Sequence, residues 1–520
     1  MRFALTGLLL AALALGAGSS PARAQPAEYL PASHTLYEDL EALVARGLVR
    51  SASLHTRPMA RVDIARALQE ARLALPAIES DLHFRRLERE LARELAEVGV
   101  APEARETGPL LDVGDRDQRF RVALAGHVRG DFDEKREAAH FRLRDESSLA
   151  ARMSLQLWPW FGAYEELGIT RIRGQRGFID AIAAHTDLEA TVLRGEVTGR
   201  VNRVTAALGY DAVRWGPGRR GTLLLSDAAG SMTFFSLQGS TRGRIGVTGT
   251  AFTGVVSAAD HRFLAAHRIE FDTPRLTLGL AEAARYTSGG VDLLYASGLL
   301  PYTVVERIQI RDASVDSLRA LERANVMASA DVSFRVSHGL TLYGELLVDD
   351  YATESANMPN RIGYQLGARS ERPYGARYVH FLGEYTRVRN FTYSVDYGQD
   401  YIYRGRPLGY ALGPDAENVF LESAFDLSRE WQLRWTGDFT NHGEGRLGVP
   451  WDPSQGPVST VGLSGIVEER REVWGDARWM PRDNVDVSVG AGFRRIRNEG
   501  NLEGRDREAW LARLAADVRY

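Results

Sequence analysis

The last fourteen residues, REAWLARLAADVRY from Arg507 to Tyr520, decide the fold class. Trp510, Ala512, Leu514, Ala516, Val518 and Tyr520 fall on one side of a period of two; Leu511, Arg513, Ala515, Asp517 and Arg519 fall on the other. Successive side chains of a strand point to opposite faces, so this segment reads as a strand with one apolar and one charged face. The segment before it repeats the pattern, with Val485, Val487, Val489, Ala491 and Phe493 against Asp486, Ser488, Gly490, Gly492 and Arg494. Trp431, Leu433, Trp435, Gly437 and Phe439 alternate with polar residues in the same way. In Leu340 to Val348 the even positions are apolar except Gly344, while Thr341, Tyr343, Glu345 and Asp349 face the other way. A soluble sandwich also alternates. Two features point instead to a membrane barrel. The apolar faces carry aromatics near the segment ends, as interface girdles do. The last strand also closes on an aromatic residue, an arrangement resembling the terminal signal read by the outer-membrane assembly machinery.

Working outward, candidate strands begin near Arg119, Ser147, Phe161, Asp187, Arg200, Met232, Arg244, Arg262, Arg275, Ala324, Leu340, Arg361, Arg377, Asn418, Trp431, Gly465, Asn484 and Arg507. About 16 to 18 strands of this length suit an even-numbered barrel wide enough to leave a lumen unless loops fill it. Short turns such as Asp272-Thr273-Pro274 and Ser337-His338-Gly339 contrast with long irregular stretches. These run from Tyr210 to Gly230, Thr287 to Leu321, Asn390 to Asp415 and His442 to Ser459.

Ahead of the strands the period is 3.6. Leu36, Leu40, Leu43 and Val44 share one helix face, with Gly47 at the C-cap position; Asp63 to Leu75 and Leu82 to Val98 form two more helices. Ala101 to Gly114 reads as a linker. The expected organisation is a signal segment over 1–24, a periplasmic helical bundle with its linker over 25–114, and an outer-membrane barrel over 115–520. The first segment has Arg2, an apolar run from Ala4 to Leu15 and an A-x-A site at Ala22-Arg23-Ala24. That run is too short to span a membrane, and no later stretch reaches 18 uninterrupted apolar residues.

Overall, 44% of the residues are hydrophobic and 25% charged, with a mean hydropathy of −0.25, as expected when a polar lumen dilutes a lipid face. Losing Arg2 and Arg23 with the signal moves the formal charge from −4 to −6, which argues against nucleic acid as a partner. The chain has no cysteine, so disulfides and thiol chemistry are excluded. Lys135 is the only lysine, leaving arginine to carry the positive charge, and arginine forks suit carboxylates, phosphates and acidic sugars.

Several stretches resemble the Wzi-type capsule assembly family. LYEDLEALVARGLV (Leu36 to Val49) and TRPMARVDIARAL (Thr56 to Leu68) resemble its helical segment, and RWGPGRRGTLLLSDAAG (Arg214 to Gly230) resembles its most distinctive internal stretch. FLAAHRIEF, LLYASGLLPY, LYGELLVDDY, PNRIGYQLGA and GEYTRVRNFTY follow in the family's order. The resemblance implies an 18-stranded barrel with a helical bundle on its periplasmic side. It also implies a lectin-like role in holding capsular polysaccharide at the cell surface, without catalysis.

The loop from Arg214 to Gly230 carries the first candidate site. Gly216, Pro217, Gly218 and Gly221 force a tight path from which Arg214, Arg219 and Arg220 project, with Trp215 beside them. A flat ring and guanidinium forks are a sugar-binding combination. The same loop can instead fold into the lumen and pair with acids such as Asp227, Glu345, Asp349 and Asp350; both readings stay open. Tyr401, Tyr403 and Arg404, in the aromatic loop from Tyr393 to Tyr410, are the second candidate, to be weighed against loop packing. The histidines His261, His267, His338, His380 and His442 are scattered, and no metal or cofactor is expected. No G-x-S-x-G, H-E-x-x-H or Walker loop occurs. The expected function is a non-enzymatic, monomeric barrel that binds capsular or other extracellular polysaccharide, with outer-membrane lipid and lipopolysaccharide around it. A channel for sugars or small solutes is the alternative, and a membrane hydrolase using Glu345 or Asp349 is a third reading.

Overall fold

The computed structural model describes residues 28–49, 54–75, 78, 81–100, 109–114, 118–133, 142–143, 148–158, 160–171, 188–241, 243–312, 324–350, 358–374, 377–456, 458–482 and 484–519. The expected signal segment, Lys135 and Tyr520 lie outside them.

Among the described residues, eighteen antiparallel strands close into one barrel. They are β1 (Gln118–Asp133), β2 (Ser148–Leu157), β3 (Phe161–Arg171), β4 (Leu188–Val201), β5 (Val204–Asp211) and β6 (Met232–Thr241). Next come β7 (Gly246–Ser257), β8 (Arg262–Asp272), β9 (Leu276–Thr287), β10 (Asn325–Ser337), β11 (Leu340–Asp350) and β12 (Arg361–Tyr374). The wall is completed by β13 (Arg377–Val388), β14 (Ala416–Asp426), β15 (Trp431–His442), β16 (Glu468–Arg482), β17 (Val485–Arg497) and β18 (Arg507–Arg519). Each strand pairs with its neighbour in sequence, and β18 returns to β1, for example Arg513 to Asp131. Closure leaves no unpaired strand edge, which a spanning sheet requires in lipid. No described helix is long and apolar enough to cross a membrane; the strands do the crossing.

Register fixes the faces. Asp331 opposite Glu345 and Glu345 opposite Gln365 place the odd residues of β11 in the lumen, while Leu342 and Leu346 are exposed outside. Aromatics gather at both rims. Trp431 stacks on Trp479 at 5.9 Å beside the short turns, and Phe493 meets Trp510 at 5.2 Å toward the long loops. Interfacial aromatic girdles of a spanning barrel have this placement.

Among the described residues, four helices precede the wall: α1 (Leu36–Ala45), α2 (Arg61–Ala74), α3 (Leu82–Glu90) and α4 (Ala92–Glu97). Leu40, Leu43, Ile64, Leu68, Phe84 and Leu87 are fully buried among them. The third helix expected from the sequence is broken at Leu91, where φ is −111°. The Arg61 guanidinium donates to the carbonyl of Glu90 and to the Glu94 carboxylate at 2.9 Å, so the break leaves that carbonyl satisfied. The expected linker also carries structure, because Leu111–Gly114 pairs with Arg119–Val122 at the foot of β1.

The bundle fills the short-turn end of the barrel. The N–H of Gly339, in the β10–β11 turn, donates to the Ala45 carbonyl at 2.8 Å, and Arg335 reaches the Val44 carbonyl at 2.8 Å. Arg86 bridges Asp39 and Asp426, and Arg200 on β4 forks onto Asp63 at 2.8 and 2.9 Å.

Candidate functional site

The connection from β5 to β6 does not stand out from the rim; it turns inward. Arg214–Trp215 forms a two-residue antiparallel pair with Thr56–Arg57 of the bundle. The N–H of Trp215 donates to the Leu225 carbonyl and that of Gly216 to the His55 carbonyl, at 2.9 and 2.8 Å. A segment entered from the long-loop end therefore meets, inside the barrel, one entered from the other end. The apolar run that follows explains itself: Leu223, Leu224 and Leu225 are buried under Tyr393, Tyr401, Leu408 and Tyr410. Trp215 lies edge-on to Phe252 of β7 at 6.3 Å.

The wall supplies carboxylates for the plug's backbone. Glu345 accepts from Leu223 N and Leu224 N at 3.0 and 3.3 Å. Glu384 accepts from Arg219 N and Arg220 N at 2.6 and 3.0 Å and from the Tyr343 hydroxyl at 2.7 Å. These N–H groups sit in a loop without secondary structure, where an unsatisfied buried donor would cost about 1–3 kcal/mol. Gly216 has φ of +130°, and a Cβ there would lie 2.7 Å from Glu345 Oε2, so the path admits only glycine.

The side chains join three elements. Arg219 pairs with Glu38 of α1 at 2.6 Å and with Glu422 of β14 at 3.1 Å, and Arg434 of β15 reaches Glu38 at 2.6 Å. Burial raises the Glu38 carboxyl, but Arg219 and Arg434 outweigh it and hold the group well below the usual carboxylate range. Burial likewise opposes the charge on Arg219, and Glu38 and Glu422 more than restore it. In the same lumen His55 meets Asp331 at 2.6 Å, Arg268 meets Asp331 at 2.5 Å, and Thr56 donates to Glu270 at 2.7 Å.

Each residue singled out from the sequence now has a place. Arg214 is buried, donating to the carbonyls of Gly218 and Arg219 and lying 3.6 Å from Asp227. Trp215 is 2% exposed, Tyr401 0% and Tyr403 4%. Tyr401 stacks with Tyr393 at 5.9 Å, and Tyr403 donates to the Ser231 carbonyl at 3.2 Å. These rings therefore pack loop on loop and present no face at the surface. Arg219 is half-buried; Arg220, paired with Asp438, and Arg404, over the Tyr403 ring at 5.0 Å, are exposed. Asp349 accepts from Tyr393 N at 2.7 Å, tying the aromatic loop to β11. Asp350 lies opposite Arg361 in the register. Glu345 and Asp349 thus serve two different loops and do not form a carboxylate pair of their own.

Glu38, Glu384, Glu422 and Asp438 escaped the sequence reading. Lumen parity on β13, β14 and β15 is the signal that marks the last three. A cavity of about 130 Å³ between the bundle and β1–β4 also escaped it. Arg61, Arg93, Arg121, Arg152 and Arg194 line it with Glu28 and Glu166.

The family model for capsule assembly protein Wzi matches residues 120–510. Wzi from Escherichia coli, described as an outer-membrane protein involved in group 1 capsule assembly and a carbohydrate-binding β-barrel, superposes with a TM-score of 0.62. It is 16% identical, and the match covers 95% of this chain and 99% of that one. OprD from Pseudomonas aeruginosa is 12% identical over 77% of this chain and 94% of its own, with a TM-score of 0.40. OpdK from the same organism is 11% identical over 77% of this chain and 98% of its own, at 0.41. No curated protein matches the chain. With three quarters of its length matched by one family model and the same barrel around it, the chain belongs to the Wzi family of capsule assembly proteins.

Proposed function

We propose that this outer-membrane barrel binds capsular or other extracellular polysaccharide and holds it at the cell surface, assisting capsule assembly without cleaving its ligand. Family membership over residues 120–510 is the observation that carries the reading. The carbohydrate binding described for the Escherichia coli Wzi supports it. In this account the ligand approaches from the long-loop face, where Arg404 is exposed and suits carboxylates or phosphates, with Arg220, paired to Asp438, exposed in the lumen below it. The enclosed Trp215, Tyr401 and Tyr403 act by fixing the loops that carry those arginines. The protein works as a monomer set among outer-membrane lipid and lipopolysaccharide.

Transport of sugars or small solutes is the competing reading. The lumen weighs against it, since the loop of residues 212–231 and the bundle meet there through paired backbone and ion pairs. Polysaccharide retention by cells tests the proposal. Cells lacking the protein should shed polysaccharide into the medium, and the native chain should restore retention. An Arg220→Ala, Arg404→Ala variant that assembles normally should restore less. Full retention in cells without any copy of the protein would refute the assignment.

A further inference from the structure

Among its described residues, the connection from β9 to β10 contains two helices, α5 (Leu293–Ala296) and α6 (Tyr302–Asp312). They do not enter the barrel. Lumen residues on this side are Arg268, Glu270, Ala281 and Asp331, so Phe263, Ala265 and His267 of β8 and Glu282, Ala284 and Tyr286 of β9 point outward. Those outward residues are covered. Tyr295, Tyr302 and Val305 are buried in one cluster with Phe263, Ala265, Ala284 and Tyr286. A Cβ on Gly298 would touch the Cβ atoms of Ala251 and His267, both on the outer face. The helical hairpin is therefore folded down against the outside of the wall, and His267 lies five residues below the long-loop start of β8. At ~3.3 Å per residue that is ~17 Å along the strand.

The cover hides polar groups. His267 and Glu282 lie 3.5 Å apart on the outer face, Tyr302 N donates to Glu282 at 2.9 Å, and the Tyr302 ring sits 4.5 Å from the His267 ring. Bare in lipid, a carboxylate and an imidazole would be costly. Under the hairpin each has a protein partner. The hairpin's own outward surface carries several aliphatic side chains among polar ones: Leu293 is 82% exposed, and Val291, Leu294, Val304 and Ile308 are exposed beside it, as is Thr303. In water such a patch is anomalous. Below it on the same outer face Leu278 and Leu280 of β9 and Val332 and Phe334 of β10 are exposed toward lipid, and the exposed Arg307 accompanies the patch.

We propose that residues 291–308 form an interfacial membrane anchor on the outside of the barrel, with Leu293, Leu294, Val304 and Ile308 seated among the acyl chains of the outer leaflet. The leucines of α5 and the valine, isoleucine and Arg307 of α6 together give the aliphatic surface with a basic neighbour that lies in that plane. The proposal is independent of what the long-loop face binds.

The absence of cysteine makes the test direct. Leu293→Cys and Ile308→Cys are each spin-labelled and reconstituted in vesicles of phosphatidylcholine and phosphatidylglycerol. Leu346→Cys on the outer face of β11 is the lipid control, and Val461→Cys, exposed in the β15–β16 loop, is the aqueous one. Relaxation by oxygen, which concentrates in lipid, is compared with relaxation by a water-soluble nickel chelate. The expected result is that labels at 293 and 308 follow the 346 label, with oxygen dominating. Nickel dominance at both positions, as at 461, overturns the proposal. So does exclusion of both reagents with dipolar broadening between labels, which would make the patch a contact between two copies.

Discussion

Arg219 ties the inward loop to the bundle, so its removal should loosen the bundle before it harms the wall. Arg219→Ala leaves Glu38 and Glu422 sharing Arg434, at 2.6 and 3.7 Å. Breaking a buried ion pair by removing one partner costs about 3–5 kcal/mol. Two features reduce that here: Arg434 still neutralises part of the charge, and the Glu38 side chain keeps 25% exposure. A loss of about 2 kcal/mol is the working figure, or roughly 30-fold faster exchange of α1 amides that open locally. Native-state hydrogen exchange in detergent reads this directly. Arg219→Ala and Glu38→Ala should also be non-additive, with the double variant little worse than the worse single one. Unchanged protection of α1 in Arg219→Ala, or simple additivity, would refute the reasoning.

Three further outcomes follow from the geometry. Burial raises the Glu94 carboxyl, but Arg61 and Arg93 bring it down from 4.5 to about 2; a depressed folded-state pKa gives stability that is complete above 4.5 and lost as pH falls toward 2. Amide exchange in α2 and α4 should therefore accelerate across that window, and less so in Glu94→Gln. Gly409→Ala should destabilise the mouth by about 1–3 kcal/mol, because the new methyl collides with the Leu223 carbonyl and the Tyr393 hydroxyl; unaltered thermal stability would contradict this packing. In planar bilayers the native chain should carry no steady single-channel current, and ohmic steps would show that the plug leaves a path.

Much of the wall was legible because a period of two survives wherever one face meets lipid and the other a charged lumen. The β4–β5 turn comes late, with β5 starting about four residues beyond the strand start near Arg200 that the sequence pattern suggests. β4 continues to Val201 and reverses at Asn202 with φ of +55°, and Asn-Arg is a weak turn signal. The α6 helix does not show in the sequence, since its apolar residues lie on two faces, Tyr302 and Val305 toward the wall and Val304 and Ile308 away from it. At the site, the glycines and the leucine run of the inward loop were readable, as was the inward parity of Glu345 and Asp349. Their partners were not. Glu38 sits on the polar side of an amphipathic helix and looks like any solvated glutamate until the barrel brings Arg219 and Arg434 to it. The candidate arginines looked alike in sequence, yet Arg214 is buried and Arg220 exposed, a difference set by which way a glycine-hinged loop folds.

The central claim is that a closed barrel of this family holds polysaccharide without turning it over. The most direct test is binding of the purified, detergent-held protein to surface polysaccharide from its own organism, with chain length measured before and after. The account predicts saturable, salt-sensitive binding with the polymer recovered intact. No binding by protein shown to be folded, or recovery of shortened chains, would contradict it.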